Sequence, residues 1–452
     1  MSAIKIYRGT NQIGGIVTEV SCGDHRILID FGANLPGTKN SSIEDDELVK
    51  KVWSDDTFTG ETDAVLFTHY HGDHVGLKNC IPDNVPMYVG GTAKEIMKII
   101  ATGVDYVKEQ TGHADEIEFP TIEKMIPYKI GTPLNFNNII VTPLVCDHSA
   151  LDSYMFVIEV DGKRILYTGD FRDHGIPGEE TFEKMIKEHV GKIDILVTEG
   201  TMVSRIEEEK NNHVRTEEEL GEEAKKIFNE HKENVVLVSS TNLDSVMEFY
   251  HATPDDKAFL CDPYQARVMN VAIEARWKFF KKYRYKKQIY VLCPNEYKGY
   301  MTDLLKVKDP LIDRCPFSMA DPKIYSEKGF VMLARPNRNP NFVVGRFEER
   351  MNQMNDPFIT YSMWGGYLKG GKAEDPAIVE FMDGYMDKEH MKPLHTSGHA
   401  YVETLKKLMD MTNPDVIIPM HTEDAKAFTE VELFKEYKDR LHTLNDGEMY
   451  LI

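Results

Sequence analysis

Short apolar runs separated by polar turns fill the first 200 residues of the chain. The segments IKIYRG, GIVTEVS and HRILIDFG alternate in polarity or are apolar throughout, and glycine-rich turns lie between them. This pattern predicts β-strands. Five further apolar runs follow along the chain, at 64–68, 138–145, 163–170, 194–200 and 416–421.

Each of these five runs brings a histidine or a carboxylate to its carboxyl end. The run AVLFT leads into a histidine cluster, and the others end at or just before His148, Asp170, Glu199 and His421. Side chains at strand ends and in the loops beyond them are held by a rigid scaffold yet face an open edge. Five such arrivals of metal-ligand residue types predict one shared site.

The middle of the chain, from 201 to 375, has a different pattern. The run VVLVSS leads into a helical LDSVMEFYH, and KAFLCD leads into a helical YQARVMNVAIEARWKFFKKY. Alternating β and α runs indicate a largely parallel sheet with flanking helices. Candidate ligands resume only at His395. We therefore predict an α/β protein in which residues 1–200 and 376–452 form one domain and residues 201–375 are an insertion.

Composition narrows the class of protein. Hydrophobic residues make up 41% and charged residues 28% of the chain, which is ordinary for a globular protein with a sizeable core. The sequence has no apolar run long enough to span a membrane and no secretory signal at its start. The six cysteines are scattered without a CxxC pair, which indicates reduced thiols in the cytoplasm and argues against a cysteine-based zinc site.

The net charge of −21 argues against non-specific duplex binding, because affinity for phosphates depends on Lys and Arg. Basic residues are nevertheless concentrated in ARWKFFKKYRYKKQ (275–288), where seven of them alternate with aromatic residues. Such a mixture can follow a sugar-phosphate backbone. The alternative is a solvated helix face whose aromatic side chains turn towards the core.

The densest motif is THYHGDH. In an extended segment, residues two apart project to the same side, so His69 and His71 can share one metal. Gly72 permits a tight turn that directs Asp73 and His74 towards a second metal. An amphipathic helix is expected to begin here, in HVGLKNCI.

Three residues farther along the chain complete two metal sites. His148 follows an apolar strand and is the expected third ligand of the first metal, while His421 completes the second site with Asp73 and His74. Asp170 ends a buried strand, where a carboxylate is costly unless it binds metal or pairs with charge. It is expected to bridge the two metals.

Imidazole and carboxylate ligands without thiolates favour zinc and also permit manganese or iron. Two metals roughly 3.5–4 Å apart clamp the attacking and leaving oxygens of an in-line displacement. A water between them loses much of its proton affinity, and the resulting hydroxide is the expected nucleophile.

The motifs THYHGDH, CDHSALDS, YTGDF and PMHTE resemble those of the metallo-β-lactamase superfamily. VTEGT, LHTSGHA and PMHTE resemble motifs A, B and C of its β-CASP subfamily, which processes nucleic acids. Ribonuclease J is similar in its HxSGHA string and in the step from His399 to His421. The resemblance implies an αββα metallo-β-lactamase sandwich with an inserted α/β β-CASP domain between Glu199 and His395.

The resemblance also implies roles for residues outside the ligand set. Glu199 would orient His399, which would stabilise the phosphorane or protonate the leaving 3′ oxygen. His395, Ser397 and Gly398 would form a phosphate cradle through the serine hydroxyl and backbone N–H groups. Read without the family, Glu199 is compatible with an ordinary strand-end acid and His395 with an ordinary loop histidine.

Two departures from ribonuclease J bear on specificity. Its additional C-terminal domain, which aids dimerisation, has no counterpart after His421, and its Gly-Ser-Gln-Gly-Glu-Pro string is replaced by ARPNRNPNF (334–342). Since that string helps to bind a 5′ phosphate, the resemblance leaves exonuclease and endonuclease modes open.

These patterns predict a cytoplasmic, metal-dependent nuclease that hydrolyses phosphodiester bonds of RNA, or of another single-stranded nucleic acid. The alternative is a small-molecule hydrolase of the same superfamily, such as a lactonase or thioesterase, which would need neither HTSGHA nor the insertion. A scaffold protein with a decayed site is disfavoured because every expected ligand is present. RNA versus DNA, the metal in the cell and a homodimer stay open.

Overall fold

The computed structural model describes residues 2–35, 41–54, 58–113, 116–206, 214–292, 298–308, 315–321, 327–334, 357–371, 373–383 and 389–452. The chain forms two compact units, one made of Met1–Asn211 with Gly398–Ile452 and the other of Asn212–Ser397. The predicted domain boundaries after residues 200 and 375 lie earlier in the chain and stay a prediction. Most of the ARPNRNPNF segment, from residue 335 onwards, lies outside the described residues.

The first unit starts with strands and short helices in the order β1 Ser2–Arg8, β2 Val17–Cys22, β3 His25–Ile29, α1 Asp45–Ser54, β4 Glu61–Leu66, α2 Gly72–Val75, β5 Met87–Val89, α3 Gly91–Gln110, α4 Phe119–Lys124, β6 Ile126–Pro127, β7 Leu134–Phe136, β8 Ile139–Cys146, β9 Ser153–Val160, β10 Lys163–Tyr167, α5 Gly178–Met185 and β11 Ile195–Glu199. The second unit contains α6 Glu217–Glu230, β12 Glu233–Val238, α7 Leu243–Ala252, β13 Ala258–Cys261, α8 Pro263–Arg276, β14 Ile289–Val291, α9 Lys298–Leu304, β15 Phe317–Met319, β16 Phe330–Ala334, β17 Phe358–Ser362, α10 Pro376–Met382 and β18 Met391–Pro393. The chain then completes the first unit with α11 Val402–Thr412, β19 Val416–Met420 and β20 Met449–Leu451.

Two sheets face each other in the first unit. Their strand orders are β20-β1-β2-β3-β4-β5-β6 and β19-β11-β10-β9-β8-β7. Alternate residues of a strand point to opposite faces of its sheet. In β9, Tyr154, Phe156 and Ile158 accordingly enter the core that the two sheets share, whereas Met155 and Val157 pack with residues of α5 and α11 on the other face. Burial on both faces explains why these strands are almost continuously apolar in sequence.

Strand direction brings the candidate site residues to one edge of the second sheet. Strands β10, β11 and β19 are parallel, and β8 runs in the same direction because β9 is antiparallel to both β8 and β10. The carboxyl ends of β8, β10, β11 and β19 therefore lie at the same edge. His148, Asp170 and His421 follow three of these ends, and Glu199 is the last residue of β11. At that edge Tyr154 N–H donates to the Thr68 carbonyl at 2.9 Å, which ties the loop after β4 to the second sheet.

The second unit is built on a sheet of order β15-β14-β13-β16-β12-β17-β18. All of its described strand pairs are parallel. Helix α6 begins at Thr216, whose side chain forms a capping box with Glu219, and α8 begins at Asp262, whose carboxylate accepts the Gln265 N–H at 2.6 Å. The predicted fold class, an α/β sandwich with an additional parallel-sheet unit, is confirmed.

One local prediction was wrong, and two short strands were missed. The helix predicted over 264–283 ends at Arg276 and is followed by a turn and a single 3-10 turn, Lys281–Tyr283. Strands β15 and β18, with only three residues each, were not predicted, because such short runs do not stand out in a sequence. Within the described part of the chain, no helix is both long and apolar enough to cross a membrane.

Candidate metal centre

The loop after β4 carries the first four candidate ligands. His71 is extended, with φ −66° and ψ 146°, and the single helical turn α2 begins directly after it. This change from extended to helical backbone separates His69 and His71 from Asp73 and His74, as the sequence predicts. Gly72 is not the cause, because its φ is not in the left-handed region and a β-carbon there would meet no described atom within 4 Å. In the expected amphipathic helix HVGLKNCI, only this one turn is α-helical, and a 3-10 turn, Lys78–Cys80, follows it.

A different glycine makes the loop possible. A β-carbon on Gly32 would lie 1.7 Å from the Asp73 carbonyl oxygen, closer than any side chain can approach. The neighbouring backbone is held at the same place, because Phe31 N–H donates to the His74 carbonyl at 2.7 Å and Ile16 N–H donates to the Asp73 carbonyl at 3.0 Å. The loop after β4 is therefore packed on the loops that follow β1 and β3.

Asp170 lies at the centre of the predicted ligands. Its Oδ2 is 3.2 Å from His74 Nε2, 3.8 Å from His69 Nε2 and 4.0 Å from His148 Nε2. Its other oxygen, Oδ1, is 3.5 Å from His421 Nδ1. Asp170 thus faces four of the predicted ligand imidazoles at once, which is the position expected of a bridging carboxylate, and His399 Nδ1 lies 3.7 Å from its Oδ2 as well.

The predicted ligands form two neighbouring groups. His148 Nε2 is 3.3 Å from His71 Nδ1, and His421 Nε2 is 3.4 Å from Asp73 Oδ2. The sets whose ligand atoms all lie within 4.8 Å of one another include His69–His71–His148, Asp73–His74–His421 and His69–His74–Asp170. The structure therefore brings all seven predicted ligands together. The first two sets match the two predicted metal sites, whereas the third joins His69 and His74 at Asp170, and the assignment of ligands to each metal stays a prediction.

Buried polar atoms without partners show that this cluster fits metal ions. His69 Nε2, His74 Nε2 and Asp170 Oδ1 are buried without a hydrogen-bond partner among the described residues. Leaving such atoms unpaired costs about 1–3 kcal/mol each. Imidazole nitrogens and a carboxylate oxygen that converge in this way match the ligands that zinc binds.

The outer nitrogens of the histidines are occupied. His69 Nδ1 is 3.0 Å from the Thr68 hydroxyl, His74 Nδ1 is 2.8 Å from Asp30 Oδ2, and His148 Nδ1 is 2.5 Å from the Gly398 carbonyl. His421 Nδ1 is 2.8 Å from the Thr201 hydroxyl. Partners of this kind fix the ring orientation and the tautomer of metal-binding histidines.

Asp30 is a functional candidate that the sequence predictions missed. It is fully buried and accepts from the Thr68 N–H at 2.7 Å as well as facing His74. Its φ of 59° is left-handed, as is the φ of 48° at His421, and such backbone is uncommon for residues other than glycine. The signal was available, because HRILIDFG also ends an apolar strand on a carboxylate.

Burial and neighbouring charges set the protonation of the cluster. Burial lowers the pKa of His69 and His148 well below the usual value and that of His71 to about 4, which leaves these imidazoles neutral and able to bind metal. Burial also opposes charge at His74, but the carboxylates of Asp170, Asp30 and Asp73 outweigh it and raise its pKa. Three carboxylates around one imidazole make its surroundings strongly negative, which favours the binding of a divalent cation.

Glu199 and His399 form a pair beside the cluster. His399 Nδ1 lies 3.1 Å from Glu199 Oε2, and the Glu199 carboxylate also accepts the N–H groups of Phe171 and Ala400 at 3.1 and 3.3 Å. Burial lowers the pKa of His399, but Glu199 and Asp170 outweigh burial and raise it. The four residues Asp170, Glu199, His399 and His421 also lie close enough to hold an ion. Because Glu199 is already satisfied by backbone donors, a role in orienting His399 suits it better than metal binding.

The three predicted phosphate-cradle residues are divided between the units. Gly398 belongs to the first unit, where its carbonyl meets His148 and a β-carbon would lie 2.7 Å from Ser149 Oγ. His395 and Ser397 belong to the second unit. Between them, the buried Thr396 donates its hydroxyl to Glu217 at 2.7 Å. The cradle stays a prediction.

Two family models match separate parts of the chain. A family model described as "Beta-lactamase superfamily domain" matches residues 25–238, and one described as "Zn-dependent metallo-hydrolase RNA specificity domain" matches residues 388–444. The first match includes six of the seven candidate ligands, and the second includes His421 and the LHTSGHA and PMHTE motifs. The chain belongs to the metallo-β-lactamase superfamily.

Two curated relatives come from Dictyostelium discoideum. The "Integrator complex subunit 11 homolog" is 25% identical over 45% of this chain and 28% of its own length, and the "Cleavage and polyadenylation specificity factor subunit 3" is 29% identical over 33% of this chain and 20% of its own length. The matches thus span less than a third of either relative. They confirm the resemblance to the β-CASP branch of the metallo-β-lactamases.

A solved structure supports the fold of this metallo-β-lactamase over its whole length. The crystal structure of a protein of unknown function from Enterococcus faecalis V583 has a TM-score of 0.69 and covers 100% of both chains, at 19% identity. At that identity the likeness shows the fold alone.

The family is a class of metal-dependent hydrolases, so the chain is a hydrolase whose candidate metal ligands are the seven residues described above.

Proposed function

We propose that this metallo-β-lactamase is a dinuclear, metal-dependent ribonuclease that hydrolyses phosphodiester bonds, with zinc as its metal. The observation that carries the proposal is the pair of adjacent ligand groups joined at Asp170, with buried nitrogens that lack other partners. The family match over 388–444 is described as an RNA specificity domain, and the name of one relative includes cleavage and polyadenylation. Both support RNA as the substrate.

In this proposal His69, His71 and His148 would hold one cation, Asp73, His74 and His421 would hold the other, and Asp170 would be a ligand common to both. When bound, two such cations supply an acidified water as nucleophile and offset charge on the phosphate. The protein contributes the fixed geometry, because the outer partners of the histidines prevent their rings from turning.

Glu199 and His399 act on the leaving group and the phosphate, and not on the nucleophile. Glu199 is held by backbone N–H groups and fixes the Nδ1 edge of His399. A histidine fixed in this way can donate a proton to the leaving 3′ oxygen or a hydrogen bond to a phosphate oxygen. His395, Ser397 and Gly398 are proposed to bind the phosphate through a hydroxyl and backbone donors.

The test compares the wild-type chain with Asp73→Ala plus His74→Ala, purified in parallel. Each protein is loaded with Zn²⁺ or Mn²⁺ and mixed with labelled single-stranded RNA. Two bound cations contribute several kcal/mol of transition-state stabilisation, so the double variant is expected to cleave about a thousandfold more slowly or worse. Equal cleavage by both proteins, or none by either, contradicts the proposal.

The same preparations separate the small-molecule alternative from the nuclease. Wild-type protein is assayed with generic lactones and thioesters, and bound metal is counted by elemental analysis. The proposal expects close to two metals per chain and negligible turnover of these compounds. Rapid lactone or thioester hydrolysis without RNA cleavage would favour the alternative.

A further inference from the structure

A basic and aromatic segment of the second unit has a side that the catalytic chemistry leaves unused. It follows helix α8 and includes a turn at Trp277–Phe280 and the 3-10 turn Lys281–Tyr283. The turn is closed by hydrogen bonds from the N–H groups of Phe279 and Phe280 to the Arg276 carbonyl at 2.9 and 3.0 Å. The segment is therefore a compact corner and not a continuation of the helix.

The inner side of this corner is anchored to helix α7. Lys282 lies 2.5 Å from the Glu248 carboxylate, and the Tyr283 hydroxyl donates to Asp244. The Tyr250 hydroxyl accepts the N–H groups of Lys286 and Lys287, both at 2.8 Å. The ammonium groups of Lys286 and Lys287 also donate, to the carbonyls of His251 and Thr253 at 3.1 and 2.8 Å, so three lysine side chains fix the segment.

The outer side carries cations that are not used in this way. We call Arg276, Lys278, Phe279 and Lys281 the outer patch. Lys278 and Lys281 are exposed, and among the described residues none of the three cations of the patch has a salt bridge. Lys278 Nζ lies 5.5 Å from the Trp277 ring centroid and Arg276 Cζ lies 5.7 Å from that of Phe280. The positive charge is thus held next to aromatic rings.

Phe279 is the most exposed large apolar side chain of the described residues, at 74%. A single exposed apolar residue is normal, but an exposed ring flanked by cations offers a specific combination. A nucleic acid base can stack on the ring while its phosphates meet the cations. In a chain of net charge −21, a polyanion can be held only where positive charge is concentrated locally.

We propose that the outer patch is a second contact site for single-stranded RNA, made of residues other than those of the metal centre, in which a base stacks on Phe279 and phosphates bind Lys278 and Lys281. The inference rests on the proposed ribonuclease function. A membrane surface fits the patch less well, because Phe279 is its only exposed apolar side chain. An acidic protein would pair with the cations but would leave the ring unexplained.

The test measures binding of a fluorescein-labelled single-stranded RNA of about 20 nucleotides by anisotropy, with full-length protein in excess EDTA to prevent cleavage. Phe279→Ala is expected to raise the Kd about tenfold, since stacking contributes roughly 1–3 kcal/mol per base. Phe279→Trp should bind as wild type does, because it keeps a stacking ring. Lys278→Ser plus Lys281→Ser should reduce the slope of log K against log salt by about 1.4, or roughly 0.7 for each phosphate contact.

Matched controls are Ile130→Ala, at an apolar residue that is 66% exposed in the first unit, and Lys435→Ser, at a lysine whose side chain is 76% exposed. Neither should change RNA affinity. If wild-type protein binds and cleaves RNA but the patch variants bind equally well, the inference is overturned and the ribonuclease stands. If wild-type protein neither binds nor cleaves RNA, the proposed function itself has failed.

Discussion

Both units bury carboxylates, but the negative charge of these side chains is compensated differently in the two units. In the first unit, Asp170 faces the imidazoles of four predicted ligands and of His399, and one of its oxygens has no hydrogen-bond partner among the described residues. In the second unit, Glu217 accepts from Ser245 at 2.8 Å and from Thr396 at 2.7 Å, and Glu248 lies 2.5 Å from Lys282. Every acid of the second set has a donor of its own.

The difference separates a binding site from structural polar packing. A buried carboxylate needs compensating charge or hydrogen bonds, and the second unit supplies them from its own hydroxyl and ammonium groups. The first unit leaves the ligand atoms of Asp170 and its neighbouring histidines facing one another, and a bound cation would supply the compensation that Asp170 lacks. Burial of acids alone would not have distinguished the two regions; the partners of each oxygen do.

Apart from removal of the metal ligands themselves, the largest effect is expected at Glu199 and His399. Glu199 is a satisfied acid within the metal cluster, and His399 depends on it. His399→Asn should lower RNA turnover roughly 100-fold or more, the range for loss of a general acid. Glu199→Gln should cost less, because an amide oxygen still accepts from His399. Turnover and metal content are measured together.

Metal content decides what this result means. Both variants should keep the wild-type number of metals, since neither residue is proposed as a ligand. His442→Asn, at a histidine that packs on Tyr450 with ring centroids 5.0 Å apart, is the control and should keep full turnover. A loss of metal in Glu199→Gln or His399→Asn would identify the substituted residue as a metal ligand. Glu199 would then belong with the buried acids that need a cation, and not with those that hydrogen-bond donors satisfy.

The sequence predicted the metal cluster better than its surroundings. Ligand residue types stand at the ends of apolar strands, and the parallel direction of β10, β11 and β19 brings those ends together. Whether the seven residues bind metal stays a prediction, but their proximity follows from pattern and topology. Asp30 was missed although HRILIDFG also ends an apolar strand on a carboxylate, because the sequence does not show that this carboxylate contacts His74.

The balanced acids of the second unit could not be predicted in the same way. Glu217 and Glu248 occur in helices whose sequences look like ordinary charged helices, and their burial arises from packing between α6 and α7. A β-carbon on Gly221 of α6 would lie 2.2 Å from Glu248 Oε2, so this close approach depends on a glycine that has no distinguishing context in the sequence. Side-chain packing decides such partners, and periodicity does not reveal them.

An intermediate effect is expected at Asp30. Asp30→Asn keeps an acceptor for His74 but removes the negative charge behind the ring. Loss of such an outer partner typically lowers metal affinity 10–100-fold, which a chelator competition titration would measure. Glu116→Gln, which alters an exposed pair with His113 at 3.2 Å, should leave the affinity unchanged. Equal metal affinity in wild type and Asp30→Asn would show that the His74–Asp30 contact is only structural.

The smallest effect is expected among the buried acids of the second unit, which have hydrogen-bond donors of their own. Burial raises the pKa of Glu248 to about 7 despite Lys282, with Glu217 and Asp244 adding to the rise, from a usual value of 4.5. Between these two pH values the folded state holds a proton that the unfolded chain has released, so wild-type stability falls as pH rises, by at most about 1.4 kcal/mol per pH unit. Glu248→Gln lacks this proton, and Lys282 is 43% exposed, so it can be hydrated when its partner is neutral. The thermal midpoint of the variant minus that of the wild type should therefore increase from pH 5 to pH 7 and stay constant above pH 7. Glu230→Gln, at an exposed glutamate of α6, should show no such trend. A constant difference across this range would mean that Glu248 is ionised throughout, and that the salt bridge with Lys282 balances it fully.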